Sequence, residues 1–300
     1  MNRIADLEAF VAIVEKGSLT AAARQLGRSL QSVSRSLAAM EQEVGVELVR
    51  RTTRQASPTE TGLVLHERLR LALADIADAK SRASHGRVEP SGLLRVGSPG
   101  RAGTSHVLPA IAAFLDAHPK IEVDLQQYDG FVDPADFNLD VAIRVGASPD
   151  SALKSKHLAD WRRVFVAAPA YLDRHGRPKR PADLLGHQCI VRTARPGANV
   201  WPFTAGGKKV GTIAVAGRFR TSGGPAVMEV AVLGLGIAIA PFWQVQPHVK
   251  RKSLELVLVR YEPPPIPVYA VWTATRVLPA KTRMFIDFMS KRLRRDAAQR

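Results

Sequence analysis

The chain has 300 residues, 46% hydrophobic and 23% charged, a balance that suits a folded protein with room for about two domains. No apolar run reaches the roughly 18 residues that a membrane span needs, and MNRIADLEAF carries no long apolar stretch or cleavage site, so a cytoplasmic location with no membrane partner is expected. The single cysteine, Cys189, excludes an intramolecular disulfide and a zinc cluster, and its short apolar setting HQCIVR predicts burial. The net charge of +16 is uneven: residues 1–90 hold 13 basic and 11 acidic side chains, which leaves 30 and 16 for residues 91–300. That excess reads as a solvated basic surface on the second part of the chain.

In IADLEAFVAIVEK, residues 4–16, Ile4, Leu7, Phe10, Val11 and Val14 fall at helical spacing, with Gly17 as the stop. Ser18 or Thr20 can cap a second helix running to Leu26, because a hydroxyl there accepts from an orphaned amide of the first turn. Gly27 ends it. Ser29 caps a third helix to about Val44, whose Val33, Leu37, Met40 and Val44 share one face, while Gln31, Ser32, Ser34 and Arg35 share the other. Two helices joined by a tight turn, with short polar donors near the start of the second, suit a helix laid in the major groove of double-stranded DNA. After Gly45 come strand-like Leu48 and Val49 and then Arg50-Arg51-Thr52-Thr53-Arg54, the charge and hydroxyl content of a wing on the phosphate backbone. The expected DNA-contacting set is Thr20, Ser29, Gln31, Ser32, Ser34, Arg35, Arg50, Thr52, Thr53 and Arg54. Within it Gln31, Ser34 and Arg35 would read base edges, and Thr52, Thr53 and Arg54 would hold phosphates.

The stretch FVAIVEKGSLTAAARQLGRSLQSVSRSLAAMEQEVGVELVRRTTR resembles the winged helix-turn-helix of the LysR-type transcriptional regulators. The helical hairpin, the turn glycine, the VSR triplet and the RTTR wing occur together and in order. Leu30 stands where that family usually has Gln, and Pro58 where it usually has Leu, departures that bear on base preference and on the entry to the next helix. Residues 1–58 are taken as the DNA-binding domain.

Residues 59–90 read as a linker. Thr59, Glu60 and Thr61 can start a long helix reaching about Ser84, in which Leu65, Leu69, Ala72, Ile76, Ala79 and Ala83 repeat as a heptad seam. Leu65, Leu69 and Ile76 are the expected dimerisation residues. The resemblance implies the same, since LysR-type regulators pair through this helix as homodimers or homotetramers. Ser84 to Gly92 is rich in Gly, Pro and Ser and reads as a hinge.

From residue 91 strands and helices alternate, as in LLRVGS, TSHVLPAIAAFLDAHP, IEVDLQQY and LDVAIRVG, which argues for a parallel sheet. A second series, VFVAAP, CIVRTA, TIAVAGRFR, PAVMEVAVLGLG, IAIAPFW and LELVLV, precedes PVYAVWTA and a C-terminal helix. The expected fold class is therefore α/β with an N-terminal all-α winged helix-turn-helix. Its effector domain, residues 91–300, would form two Rossmann-like lobes, about 91–163 plus 268–300, and 164–267. FNLDVAIRVG and LGLGIAIAP resemble the co-inducer-binding domain of LysR-type regulators, which is similar to type II periplasmic binding proteins. A two-lobed α/β domain binds its ligand between the lobes at strand ends. That places Ser98, Gly100, Arg101 and Thr104 at one wall, Ser222 at the facing one, and Arg144 and Gly146 at a third. Hydroxyls, free amides and helix starts favour a small organic anion.

No catalytic residues, no metal ligands and no cofactor are expected. The glycines of GSPGRAG miss the dinucleotide spacing, the histidines are scattered, and Asp133, Asp136 and Asp140 sit where turns and caps use Asp. The reading is a non-enzymatic, sequence-specific DNA-binding regulator of the LysR type controlled by a small-molecule effector, with RNA polymerase as a further partner. The alternative is a solute-binding protein or small-molecule enzyme built on the C-terminal domain.

Overall fold

The computed structural model describes residues 4–51, 55–83, 90–128, 130, 132–146, 153–193, 197–274 and 278–298. The chain forms two compact units, Met1–Gly92 with Thr275–Arg283, and Leu93–Ala274 with Met284–Arg300.

In the first unit α1 (Ile4–Lys16), α2 (Leu19–Leu26) and α3 (Leu30–Val44) enclose a core of Phe10, Ile13, Ala22, Val33, Leu37 and Met40. Punctuation is local: Ser18 Oγ accepts from the Ala21 amide, Ser29 Oγ from the Ser32 amide, and Gly27 and Gly45 take left-handed conformations at the two helix ends. Thr20 lies inside the first turn of α2, so Ser18 is the cap. Val44, expected in the buried stripe, is 45% exposed because α3 ends there and the chain turns away at Gly45. A short hairpin follows, β1 (Val49–Arg51) antiparallel to β2 (Ala56–Pro58). The Glu41 carboxylate accepts from the Leu48 and Val49 amides at 3.0 and 3.1 Å and ties α3 to β1.

Thr59 then caps α4 (Glu60–Ala83): its hydroxyl accepts from the Gly62 amide at 3.0 Å and donates to the Glu47 carbonyl at 2.9 Å. Gly62 presses so closely on the Leu48 carbonyl that no Cβ would fit. The buried side of α4 departs from the expected seam. His66 and Arg70 are buried, His66 Nε2 lies 3.9 Å from Glu15, and Leu65, Leu69 and Leu73 pack on the helix-turn-helix core. Leu65 and Leu69, expected at a dimer seam, are half-buried and also pack within the chain. Ala72 and Ala79 are exposed and Ile76 is half-buried.

Among the described residues the second unit holds two two-stranded sheets and two larger ones. One has the order β4-β3-β5-β14-β6, from β3 (Gly92–Pro99), β4 (Ile121–Tyr128), β5 (Val141–Val145), β6 (Lys154–Trp161) and β14 (Ile266–Trp272). The other has the order β12-β7-β13, from β7 (Arg163–Ala167), β12 (Ala238–Pro241) and β13 (Glu255–Val257). β3 and β5 run parallel, but β14 is antiparallel to both neighbours and β7 to both of its own, so the sheets are not the parallel ones that alternation suggested. The chain enters β14 from the other sheet's side, which reverses its direction. β8 (Val191–Arg192) pairs in parallel with β11 (Arg220–Thr221), while β9 (Val200–Ala205) and β10 (Lys208–Ala214) form a hairpin.

Helices cover these sheets. Beyond β3 the chain is helical at once, through α5 (Gly100–Ala102), a π-helical turn at Gly103–Val107 and α6 (Leu108–Ala117). α7 (Pro169–His175), α8 (Gly224–Val232) and α9 (Phe242–Lys250) belong with the second sheet, whose core includes Phe165, Tyr171, Trp201, Phe203, Met228 and Val245. α10 (Ala280–Ala298) sets Phe285 and Phe288 against Phe114 of α6, at ring separations of 5.2 and 5.4 Å. Two segments connect the sheets, and a bidentate pair joins them: Arg162 Nε donates to Glu262 Oε2 at 2.9 Å, while Arg163 Nε donates to the Pro264 carbonyl at 2.7 Å.

Candidate DNA interface and effector site

On α3 Gln31 and Arg35 face away from the core and are exposed, Leu30 is exposed at the helix start, and Ser32 and Ser34 are half-buried. Val33 and Leu37, fully buried, fix which side this is. Ser29 is exposed beside them and Thr20 is exposed on α2. Ser32 turns out to be engaged internally. Arg28, in the turn between α2 and α3, donates from Nη2 to Ser32 Oγ and Ser36 Oγ, both at 2.8 Å, and from Nη1 to the Ala5 carbonyl at 2.7 Å. Ser36 donates onward to Asp6 Oδ1 at 2.7 Å. Arg28 therefore ties the turn to α1 and α3, a role the sequence pattern did not reveal because its partners lie as far back as Ala5 and Asp6. Arg50 is exposed on β1. Thr52, Thr53 and Arg54, expected at phosphates, lie outside the described residues.

The expected effector residues divide into a group that meets and a group that does not. Ser98, at the end of β3, is 3% exposed, and its hydroxyl has no hydrogen-bond partner among the described residues. Beside it Thr104 Oγ1 donates to the Gly100 carbonyl at 3.0 Å, and Gln127 Nε2 donates to the same carbonyl at 3.1 Å and to Thr104 Oγ1 at 3.4 Å. Gly103 completes the group: a Cβ there would clash with Ser98 Oγ and sit 2.7 Å from Gln127 Nε2. Gln127 was not singled out from sequence, because in the alternating IEVDLQQY it reads as one outward polar residue among several. The helix starting at Gly100 has no side-chain cap among the described residues.

Arg144 does not stand at a rim. It is 6% exposed on β5, its Nη2 donates to the Val132 carbonyl at 2.9 Å, and burial draws its guanidinium below the ordinary value while Asp133 opposes the shift. Its described role is to hold the loop before β5. Gly146 has φ 111° and gives its amide to the Pro267 carbonyl at 2.8 Å, ending β5 beside β14. Ser222 is exposed at the end of β11, where its carbonyl accepts from Arg192 Nε at 3.2 Å, and it shares no hydrogen bond with the Ser98 group among the described residues. The side chain of Arg101 lies outside the described residues. A ring cluster that the sequence reading passed over is also present: His106 of the π-helical turn lies 4.9 Å from Trp161 and 4.8 Å from Trp243. The buried Trp243 indole N–H has no partner among the described residues. Among the described residues no group of three His, Cys, Asp or Glu could hold a metal, and no helix is long and apolar enough to cross a membrane.

Comparison with known proteins covers both units. Residues 4–63 match the bacterial regulatory helix-turn-helix protein, lysR family, and residues 87–294 match the LysR substrate binding domain. The chain is 33% identical to the HTH-type transcriptional activator AaeR of Escherichia coli K12 over 290 residues, 97% of this chain and 94% of AaeR. It is 31% identical to the HTH-type transcriptional regulator CrgA of Neisseria meningitidis serogroup C over 290 residues, 96% of each chain. A solved structure of CrgA from Neisseria meningitidis has a TM-score of 0.59 at 29% identity, covering 98% of this chain and 99% of that one. The Corynebacterium glutamicum OxyR C206 mutant shares the fold with a TM-score of 0.69 at 20% identity, over 100% of this chain and 94% of that chain. With its DNA-reading and regulatory parts both matched along nearly their whole length, the chain belongs to the LysR family of bacterial helix-turn-helix transcriptional regulators.

Proposed function

We propose that this regulator reads a specific operator in double-stranded DNA by laying the start of α3 in the major groove, as a homodimer or homotetramer, under the control of a small organic anion. The observation that carries the DNA reading is the two-sidedness of α3: Val33, Leu37 and Met40 are sunk in the trihelical core while Gln31 and Arg35 are exposed at its first turns. Ser34 and Arg35 can reach base edges with Gln31, whereas Arg50 and the wing residues Thr52, Thr53 and Arg54 meet phosphates and set the register. Contact with RNA polymerase at the promoter belongs to the same proposal.

The effector reading rests on the buried Ser98 hydroxyl, without a hydrogen-bond partner among the described residues, beside the helix start at Gly100 that no side chain among them caps. A buried donor without a partner costs stability until something accepts from it, and a carboxylate both accepts and meets the positive end of the helix. Thr104 and Gln127 would orient that group; Ser222 would contribute from the facing lobe. The family match lends no weight to a solute-binding protein or an enzyme.

The test is binding of Arg35→Ala and Arg50→Ala to a selected operator and to random DNA across salt concentrations. Arg35→Ala costs about 1–3 kcal/mol on the operator and flattens sequence preference, and Arg50→Ala weakens both DNAs alike and lowers the salt slope by about one. Equal losses on operator and random DNA for Arg35→Ala would remove it from base reading.

A further inference from the structure

Leu30 is the first residue of α3 and is 49% exposed, a branched apolar side chain in the same first turn as the exposed Gln31. Its backbone is held in place by the Ser29 cap, whose hydroxyl accepts from the Ser32 amide at 3.2 Å. Helical spacing sets it near Val33 and Leu37, which are fully buried, but its place in the first turn leaves much of it outside the core. The major groove offers such a side chain one apolar group, the C5 methyl of thymine, since the remaining base edges present donors and acceptors. A Leu in contact with any of those polar edges would desolvate them without returning a hydrogen bond, which costs free energy. We infer that Leu30 is a specificity residue that packs on a thymine methyl in each half-site of the operator and rejects cytosine and guanine at that position.

This inference rests on the DNA reading proposed above and adds the identity of one base and of the group that selects it. Thr20, exposed on α2, also carries a methyl, and Leu30 differs from it in standing at the start of the inserted helix.

The experiment uses the full-length protein and an operator selected from random duplexes. Each thymine of the operator is replaced in turn by deoxyuridine, which removes the methyl and keeps every hydrogen-bonding group. For the unmodified protein, one position per half-site weakens binding about three- to fivefold when demethylated, the scale of one methyl group lost from an apolar contact. Leu30→Ala makes thymine and uracil equivalent at that position while the salt slope stays unchanged. Retention of the same thymine-to-uracil ratio in Leu30→Ala, or no demethylation effect at any thymine, overturns the inference. A fall in molar mass by light scattering for Leu30→Ala would assign the residue to a contact between copies and overturn it too. If no duplex is enriched at all, the DNA reading itself fails, an outcome distinct from a selected operator that ignores the methyl.

Discussion

Arg28 and Ser36 share a hydrogen bond of 2.8 Å from guanidinium to hydroxyl, and through it the turn before α3 is tied to Asp6 at the start of α1. Ser36 is 4% exposed, so its hydroxyl has no ready substitute partner in solvent. Arg28→Ala should therefore destabilise the DNA-reading unit by about 1.5–3 kcal/mol, the range for hydrogen bonds made by a charged donor. DNA affinity should fall equally for operator and random sequence, because the fault is in the seating of α3. Arg28→Lys keeps the charge but not the fork, and should fall between the two in a thermal melt. A melt of Arg28→Ala superimposing on that of the unmodified protein would show the network to be dispensable.

On α4 the structure separates two effects that a seam reading had merged. Leu69 packs on the helix-turn-helix core, so Leu69→Glu should melt that unit and abolish DNA binding whatever the oligomeric state. Ile76 is half-buried farther along the helix, where Ala72 and Ala79 are exposed and leave room for a partner helix. Ile76→Glu should lower the molar mass in light scattering and leave the melt of the reader nearly unchanged. Unaltered mass for that variant would place the dimer contact elsewhere.

Gly103 lies against Ser98 and Gln127 with no room for a methyl. Gly103→Ala should fill the space beside the Ser98 hydroxyl at a cost of about 1–3 kcal/mol in overpacking, enough to weaken effector binding about tenfold or more. Operator binding without effector should stay near that of the unmodified protein. The comparison is a titration of small carboxylates against operator affinity for both proteins; a response with the same midpoint in both would take Ser98 out of the site.

Burial pushes the Cys189 thiol up to about 12 from an ordinary value of 9.0. A thiol held protonated in the fold but free to ionise when unfolded supports the fold fully below about pH 9 and loses that support as pH rises towards 12. Denaturant melts should show stability falling across that window, with a shallower fall in Cys189→Ala. Alkylation of the folded protein at pH 8 should run more than tenfold slower than for a free cysteine thiol. Rapid alkylation without unfolding would contradict the burial.

The reader's helices, turns and caps were legible in the chain because their signals are local. A Ser three residues before the amide it receives, and a Gly free to adopt a left-handed turn, act within one helical turn, so Ser18, Gly27, Ser29 and Gly45 mark their boundaries directly. Alternating apolar runs likewise marked β3, β5 and β7. The polar runs KSKHLADW and KKVG did not, although they form β6 and the first half of β10, since their pairing partners rather than their own pattern make them strands.

What tertiary structure alone decided is the fate of the polar side chains. His66 and Arg70 break the rule that polar residues face outward on a helix, and His66 does so beside Glu15 of another helix. Arg144, expected at the effector crevice from its strand end, is buried and reaches back to the Val132 carbonyl. Gln127 and Ser98 meet only because β4 lies next to β3 in the sheet. A buried polar group must find its partner in the folded chain, and that partner's distance along the sequence is unconstrained, so no local pattern can announce it.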